Sequence, residues 1–295
     1  MNARMQATLL AGDRLHLNDG PIDLIIGAEG AEGARERAFA AATRRFATIL
    51  EELCSELSLL RAAPQGELTH AQGDVARRMD KAVRPLSADR FITPMAAVAG
   101  AVADEMLAAM VAAAPLTRAY VNNGGDIALH VEGDAFFTVG LVDRPDRPGL
   151  FGSSVVRAKD RVRGVATSGW RGRSFSLGIA DAVTVLAADA ARADAAATLI
   201  ANAVDLPDHP RISRTPARDL DPQTDLGDRL VTRDVGSLTD EEIVHALDNG
   251  AREAVRLLDA GAIAAAALRL CGRTRVVGEA PTQKSIESHL AAAPS

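Results

Sequence analysis

The stretch Arg118-Ala-Tyr-Val-Asn-Asn-Gly-Gly-Asp-Ile-Ala-Leu-His-Val131 decides the fold. Two short extended runs, Arg118 to Asn122 and Ile127 to Val131, flank a turn built from Asn, two glycines and Asp. Asn-Gly between extended runs is the signal of antiparallel strands joined by a tight turn, where glycine supplies positive φ. Downstream, Phe136 to Val142, Val155 to Ala158, Arg161 to Thr167 and Ala182 to Ala187 continue the strand pattern, with Pro145 and Pro148 marking a loop. Upstream, a small-residue helix from about Met95 to Ala114 is closed by Pro115, because proline cannot continue a helix.

Farther out, Ile22 to Ile26 read as a strand ending at Gly27, and residues 31–61 as one long helix. Phe39, Ala42, Phe46, Ile49, Leu53, Leu57 and Leu60 recur there at spacings of three and four, which places them on one face. Residues 65–91 are polar and predict an irregular segment. Ala190 to Val204 predict an Ala-rich helix, and 205–236, rich in Pro, Asp and Arg, predict a long loop. Thr239 with Glu242 forms a capping box opening a helix to about Asp259. Ile263 to Leu270 and Thr274 to Val277 return as strands, and the tail from about Glu279 reads as disordered. No repeat or low-complexity linker divides the chain. The fold class is therefore α+β: one domain over 1–295, a mostly antiparallel sheet with helices packed on it.

Composition narrows the function classes. Hydrophobic residues make up 47% of the chain, enough for a core, and only 3% are aromatic, so that core is built of Ala, Val, Leu and Ile. A net charge of −6 argues against a nucleic-acid partner. No apolar run of about 18 residues is apparent, so no membrane span is expected. No long apolar stretch follows the first Met, and a cytoplasmic location is expected. Cys54 and Cys271 are expected to be buried free thiols, and no Cys/His spacing suggests zinc. A homo-oligomer is compatible with all of this.

Three motifs carry the chemistry: Asn122-Asn-Gly-Gly-Asp-Ile127, Gly164-Val-Ala-Thr-Ser-Gly-Trp170, and Asp181-Ala-Val-Thr-Val185 running on to Ala193-Asp-Ala-Ala-Ala-Thr198. Gly124 and Gly125 permit close backbone approach, and Asp126 follows them. Read alone, they are a hairpin turn. Thr167, Ser168 and Gly169 end a strand, where amides and hydroxyls can hold phosphate oxygens; read alone, they are a turn with local hydrogen bonds. Trp170, the only Trp, can stack on a flat ring or serve as a core lid. Asp194 and Thr198, at i and i+4, share a helical face, and Asp181 lies just before the strand that feeds that helix. A carboxylate with a hydroxyl suits Mg²⁺, whose remaining ligands are water and substrate phosphate. On spacing alone, an early-helix charge and a packed Thr explain the pair better. Together the motifs suit a small molecule bearing a diphosphate.

Two further patterns are set aside. Gly27-Ala-Glu-Gly-Ala-Glu-Gly33 has the wrong glycine spacing for a dinucleotide loop, and Glu29 and Glu32 would repel a diphosphate. Asp219, Asp221, Asp225 and Asp228 miss calcium-loop spacing and are expected to form a solvated turn paired with Arg218 and Arg229.

The three motifs in this order resemble the ApbE-like superfamily, whose best-known members are flavin transferases that move FMN from FAD onto a Thr or Ser of a target protein, using Mg²⁺. The resemblance covers roughly residues 90–205, and Ala99-Gly-Ala-Val-Ala-Asp104 is a weaker match to the family's Lys-Gly segment ending in Asp. It implies an ApbE-like fold. It also implies Asp194 and Thr198 as ligands of Mg²⁺, and a flavin nucleotide, FAD or FMN, held at Gly124, Gly125, Asp126, Thr167, Ser168, Gly169 and Asp181. No catalytic residue follows from it. The chain departs from the transferases at two places. Ala99 stands where they carry Lys, and Arg173-Ser-Phe-Ser-Leu-Gly178 fills the place of their His-x-x-Asp-Pro-x-Thr-Gly. Beside a Mg-dependent flavin transferase or flavin-nucleotide hydrolase there thus stand two alternatives. One is a binding protein, or an enzyme on another small molecule, in the same pocket. The other is a structural partner of a larger enzyme, using 205–236 as its contact surface.

Overall fold

In the computed structural model, residues 5–66, 70–142 and 149–279 are described. The turn at Gly124 and Gly125 joins β4 (Leu116–Asn123) to β5 (Asp126–Val131), and both glycines carry positive φ, 65° and 115°. Around this hairpin a nine-stranded sheet extends in the order β1-β2-β3-β4-β5-β8-β9-β12-β13. Every pairing in it is antiparallel. The remaining strands of the sheet are β1 (Gln6–Leu10), β2 (Arg14–Asp19), β3 (Ile22–Gly30), β8 (Gly164–Ser168), β9 (Ala182–Ala187), β12 (Ala265–Leu270) and β13 (Arg273–Gly278). The expected α+β class with an antiparallel sheet is what the chain adopts.

One face of the sheet carries helices. The first is α1 (Ala34–Ser55), which buries Ala34, Ala38, Ala42, Phe46, Ile49 and Leu53, the stripe legible in the sequence. The 31–61 helix is not continuous: it breaks at Glu56 (φ −110°, ψ 11°) before the single turn α2 (Leu57–Leu60). A 3-10 turn, Pro94–Ala97, leads into α4 (Val98–Ala113), and α5 (Ala190–Ala203) and α7 (Asp240–Asp259) complete the layer. The capping box at Thr239 and Glu242 forms as expected, with Thr239 N–H donating to Glu242 Oε2 at 2.7 Å.

The other face is covered over β5, β8, β9 and β12 by the hairpin β6 (Phe136–Val142) and β7 (Leu150–Arg157). Beneath it Leu129, Val139, Val156, Val162, Val165 and Leu186 form a second apolar core. β9 lies between both cores and is buried at all six positions, which is why its sequence is an unbroken apolar run apart from Thr184.

Several expectations need correction. Residues 65–91 are not irregular: α3 (Asp74–Val83) buries Val75, Met79, Ala82 and Val83, an apolar stripe hidden among Arg and Asp. The 205–236 segment is not a long loop either. It folds into the two-stranded β10 (Ile212–Pro216) and β11 (Leu230–Val235), joined through the short α6 (Ala217–Leu220). In that connection Arg218 pairs with Asp228, but Arg229 stacks over Phe91, 3.2 Å from its ring centre, rather than pairing with the acidic residues. Cys54 and Cys271 are exposed, not buried. Cys54 falls off the buried stripe of α1, and Cys271 sits at the tip of the β12–β13 turn with φ 47°. Pro94–Ala113 is long and apolar enough to cross a membrane, with mean hydropathy 1.6, contrary to the reading that no such run exists. Here it is a core helix, packed against α1, α5, β4 and β5, and it carries Asp104 and Glu105. The loop expected at Pro145 and Pro148 lies outside the described residues, as does the tail beyond Glu279.

The helices approach one another and the sheet through glycine. A Cβ on Gly100 of α4 would lie 2.2 Å from the Ala190 carbonyl oxygen of α5, and one on Gly164 of β8 would lie 2.0 Å from the Asp189 carbonyl. Neither neighbour is a flexible side chain, so backbone must move to admit even a methyl group. Overpacking of this kind costs about 1–3 kcal/mol, sometimes more. Gly164→Ala should therefore lower the unfolding free energy by about 2 kcal/mol or more in urea titration; a loss below about 0.5 kcal/mol would show that α5 can slide off the sheet at little cost.

Candidate functional site

The site is assembled where α4, α5 and the β4–β5 and β8 strand ends meet. The first N–H groups of any helix lack partners within the helix, and α4 has no capping side chain of its own at Ala97. Its Gly100 N–H donates instead to Asp194 Oδ2 of α5 at 3.0 Å, and its Ala99 N–H also bonds that carboxylate. In return Asp104 of α4 accepts from the Ala190 and Ala191 N–H groups of α5, at 3.0 and 2.9 Å. Asp189 completes that end as the N-cap of α5, accepting from Arg192 N–H at 2.8 Å. Each helix thus caps the other. The sequence reading missed Asp104 as a structural partner, although its spacing after Gly100 was visible in the Ala99–Asp104 segment.

The strands bring the next groups. Asn123 Nδ2 donates to the Ala99 carbonyl at 3.1 Å, tying the hairpin end to α4. Asp126 sits opposite Asn123 in the pairing and accepts from the Thr167 N–H at 3.3 Å. Gly125 N–H donates to Asn122 Oδ1 at 2.9 Å, which locks the turn. Among the described residues nothing lies within 4 Å of where a Cβ on Gly125 would project, so the turn backbone is open to a ligand.

Asp126 and Asp194 are half-buried and close enough for their charges to interact. No Lys, Arg or His of the described residues forms an ion pair with Asp104, Asp126 or Asp194; their partners are backbone N–H groups. Burial raises Asp126 to about 7 against the pull of the Thr167 N–H. Burial and then the Asp126 charge push Asp194 well above the usual carboxylate range, against the Gly100 and Ala99 N–H bonds. Burial likewise raises Asp104 to about 6, with the Ala191 and Ala190 bonds opposing it. The result is an acidic nest in which every carboxyl is raised above its ordinary range, burial being the largest cause.

The other sequence-chosen residues fall as follows. Thr198 is half-buried one helical turn beyond Asp194. Thr167 directs its hydroxyl to Thr184 Oγ1, 2.9 Å away across the strand pair, so its backbone and not its side chain addresses Asp126. Ser168 is half-buried at the end of β8. Gly169 packs against the Asp181 backbone, where a Cβ would lie 2.5 Å from the carbonyl oxygen. Asp181 has its carboxylate committed elsewhere: one oxygen accepts from Arg171 Nε at 2.8 Å and the other from Cys271 N–H at 2.6 Å. Arg171 also lies 4.1 Å from the Trp170 ring centre, so one face of the indole is already covered. Two surface hollows of about 450 Å³ lie away from this cluster, one along α7 and one beside α2 and α3. Among the described residues no group of three or more His, Cys, Asp or Glu side chains is arranged to hold a metal.

The raised acids predict a pH dependence. The native state keeps protons that the unfolded chain releases near pH ~4, so stability falls as pH rises from there through about 7, the value of Asp126. Asp126→Asn should flatten that fall, because the amide cannot ionise. Urea titrations of both proteins from pH 5 to 8 in EDTA check this, and parallel pH profiles would rule out a buried, proton-holding Asp126.

Comparisons with known proteins place the chain. A "UPF0280 protein" of Methanopyrus kandleri is 40% identical over 132 residues, covering 44% of this chain and 48% of that protein. One of Methanosphaerula palustris is 42% identical over 123 residues, covering 38% and 47%. The chain thus spans about half the length of the curated relatives it matches. The crystal structure "Pseudomonas stutzeri flavinyl transferase ApbE, apo form" is similar with a TM-score of 0.40 and 13% identity, covering 94% of this chain and 96% of that one. The family described as "AbpE bacteria" matches residues 6–276, nearly the whole chain. The chain belongs to this family, in keeping with the ApbE-like resemblance of its three motifs.

Proposed function

We propose that the chain is a Mg²⁺-dependent enzyme acting on a flavin nucleotide, as a flavin transferase or a flavin-nucleotide hydrolase. The observation that carries this reading is the Asp126–Asp194 pair, two half-buried carboxyls beside an open glycine turn that form no ion pair with any Lys, Arg or His of the described residues. Like charges at close range are relieved by a proton or by a cation. The donor set fits Mg²⁺: the Asp194 carboxylate, the Thr198 hydroxyl one turn away and the Asp126 carboxylate are hard oxygens. With too few side chains for a full shell, water, backbone and substrate phosphate complete it. When bound, Mg²⁺ supplies charge neutralisation to a diphosphate.

The protein's own part is positioning, which is most of what phosphoryl transfer asks. The Gly124–Gly125 backbone lets a ligand come close, and Ser168 offers a hydroxyl at the neighbouring strand end. In the reaction, a hydroxyl of an acceptor, or water, bonds to the FMN-side phosphorus of FAD and loses its proton. The bond to the bridging oxygen breaks, and AMP leaves with it.

The expected outcome is that FAD with Mg²⁺ gives AMP and either FMN or a flavinylated acceptor, detected by chromatography, and that omitting Mg²⁺ abolishes it. Asp194→Ala should abolish product, Thr198→Ala should weaken it less, since water replaces a neutral hydroxyl more readily than a charge. Because Asp194 also caps α4, Asp194→Asn is the sharper variant: it keeps an acceptor for the Gly100 N–H and should stay folded while losing product. Full activity in Asp194→Asn would sink the metal assignment. The second reading, a protein that binds without reacting, rests on Ala99 standing where the transferases carry Lys; only the backbone of Ala99 is engaged at the site. Tight binding of FAD with no turnover would select it.

A further inference from the structure

The segment Arg173–Gly178 brings a cation to the glycine turn. Arg173 is exposed, and its Nη1 stands 3.7 Å from where a Cβ on Gly124 would project. Arg173 differs from its neighbour Arg171. Arg171 is committed, bonded to Asp181 and stacked on Trp170. Arg173 makes no ion pair or side-chain hydrogen bond with any described residue, so its guanidinium donors are free beside an open backbone. Gly125, next in the turn, has no neighbour at its Cβ position, and the acidic nest of Asp126 begins one residue later. An exposed guanidinium over an open glycine turn, without a partner among the described residues, suits a ligand that brings negative charge of its own.

We propose that Arg173 and the Gly124–Gly125 turn form an anion subsite that receives a phosphate group of the ligand, and that Arg173 sets the preference for phosphorylated over unphosphorylated ligands. The proposal rests on the flavin-nucleotide reading for which ligand is natural, but not for the subsite itself. A guanidinium presents planar paired donors that match a phosphate's oxygens, while a lysine offers only a point charge. The turn supplies what a side chain would obstruct: Gly124 has φ 65° beneath the guanidinium, and Gly125 has φ 115°, which side-chain-bearing residues rarely adopt.

The test measures binding of FMN and riboflavin by flavin fluorescence, and of inorganic pyrophosphate by calorimetry, all in EDTA so that no metal contributes. The full chain is compared with Arg173→Ala, Arg173→Lys and, as a charge-matched control, Arg252→Ala on the outer side of α7. The wild type should bind FMN about tenfold more tightly than riboflavin, or about 1.4 kcal/mol. Arg173→Ala should bring that ratio close to one and remove pyrophosphate binding. Arg173→Lys should recover part of both, and Arg252→Ala should change neither. An unchanged FMN-to-riboflavin ratio in Arg173→Ala would overturn the subsite, as would a wild type that binds neither FMN nor millimolar pyrophosphate. Pyrophosphate binding that depends on Arg173, in a protein that binds no flavin, would uphold the subsite and discard the flavin reading.

Discussion

The exchange of carboxylates between α4 and α5 is the constraint on which the rest of the site depends. Each helix start is bonded by the other: α4 lends Asp104 to the first amides of α5, and α5 lends Asp194 to those of α4. Side-chain capping is worth about 0.5–2 kcal/mol per site in ordinary contexts, and here the caps also fix how far one helix slides along the other. Gly100 allows the contact to be as close as it is. The hairpin end then locks on through Asn123 and the Ala99 carbonyl, and Asp126 is carried to the same place.

This arrangement stores electrostatic tension. Three carboxyls lie in partly desolvated surroundings with backbone N–H groups as their hydrogen-bond partners, and all three are raised above the ordinary carboxylate range. For stability alone, apolar residues or an Asp–Arg pair would serve better, as the chain shows elsewhere with Arg45 between Glu52 and Glu105. Groups perturbed by burial and by each other are concentrated at functional sites, although structural networks perturb them too. Asp104 belongs to the structural side, since both its oxygens are taken. Asp126 accepts a single N–H bond and lies close enough to Asp194 for the two charges to interact.

Much of the fold was legible because its period was. The Phe46, Ile49, Leu53 stripe of α1, the glycine hairpin, the all-apolar β9 and the Thr239 capping box each rest on local chemistry that the structure repeats. The failures have local causes as well. In α3 the stripe of Val75, Met79 and Val83 is diluted by Arg77, Arg78, Asp80 and Lys81, whose charges face solvent or pair at the helix edge. In 205–236, Pro and Asp mark the turns of a small β-ribbon and conceal its strands. At the site, spacing could put Asp194 and Thr198 on one face, but it could not show that Asp194 reaches back across 94 positions to cap another helix. Nor could it show that Asp181 is consumed by Arg171 and the Cys271 backbone. Such contacts depend on how elements stack, which no single segment encodes.

The order of the large sheet is the order of the chain: β1 to β5, then β8, β9, β12 and β13, with each strand beside its predecessor in sequence. The departures are excursions that leave between two neighbouring strands and return: α1 to α4 between β3 and β4, β6–β7 between β5 and β8, and α5, the β10–β11 ribbon and α7 between β9 and β12. No strand has to be threaded between two already paired, so the sheet can zip up progressively from any hairpin. The same property makes the β6–β7 hairpin and the β10–β11 ribbon, which carry none of the site residues, modular. An insertion or deletion there changes the length of a closed loop, whose entropic cost varies only slowly with length, and leaves the register of the strands beside Asp126 unchanged. Relatives can therefore vary these two elements without rebuilding the site.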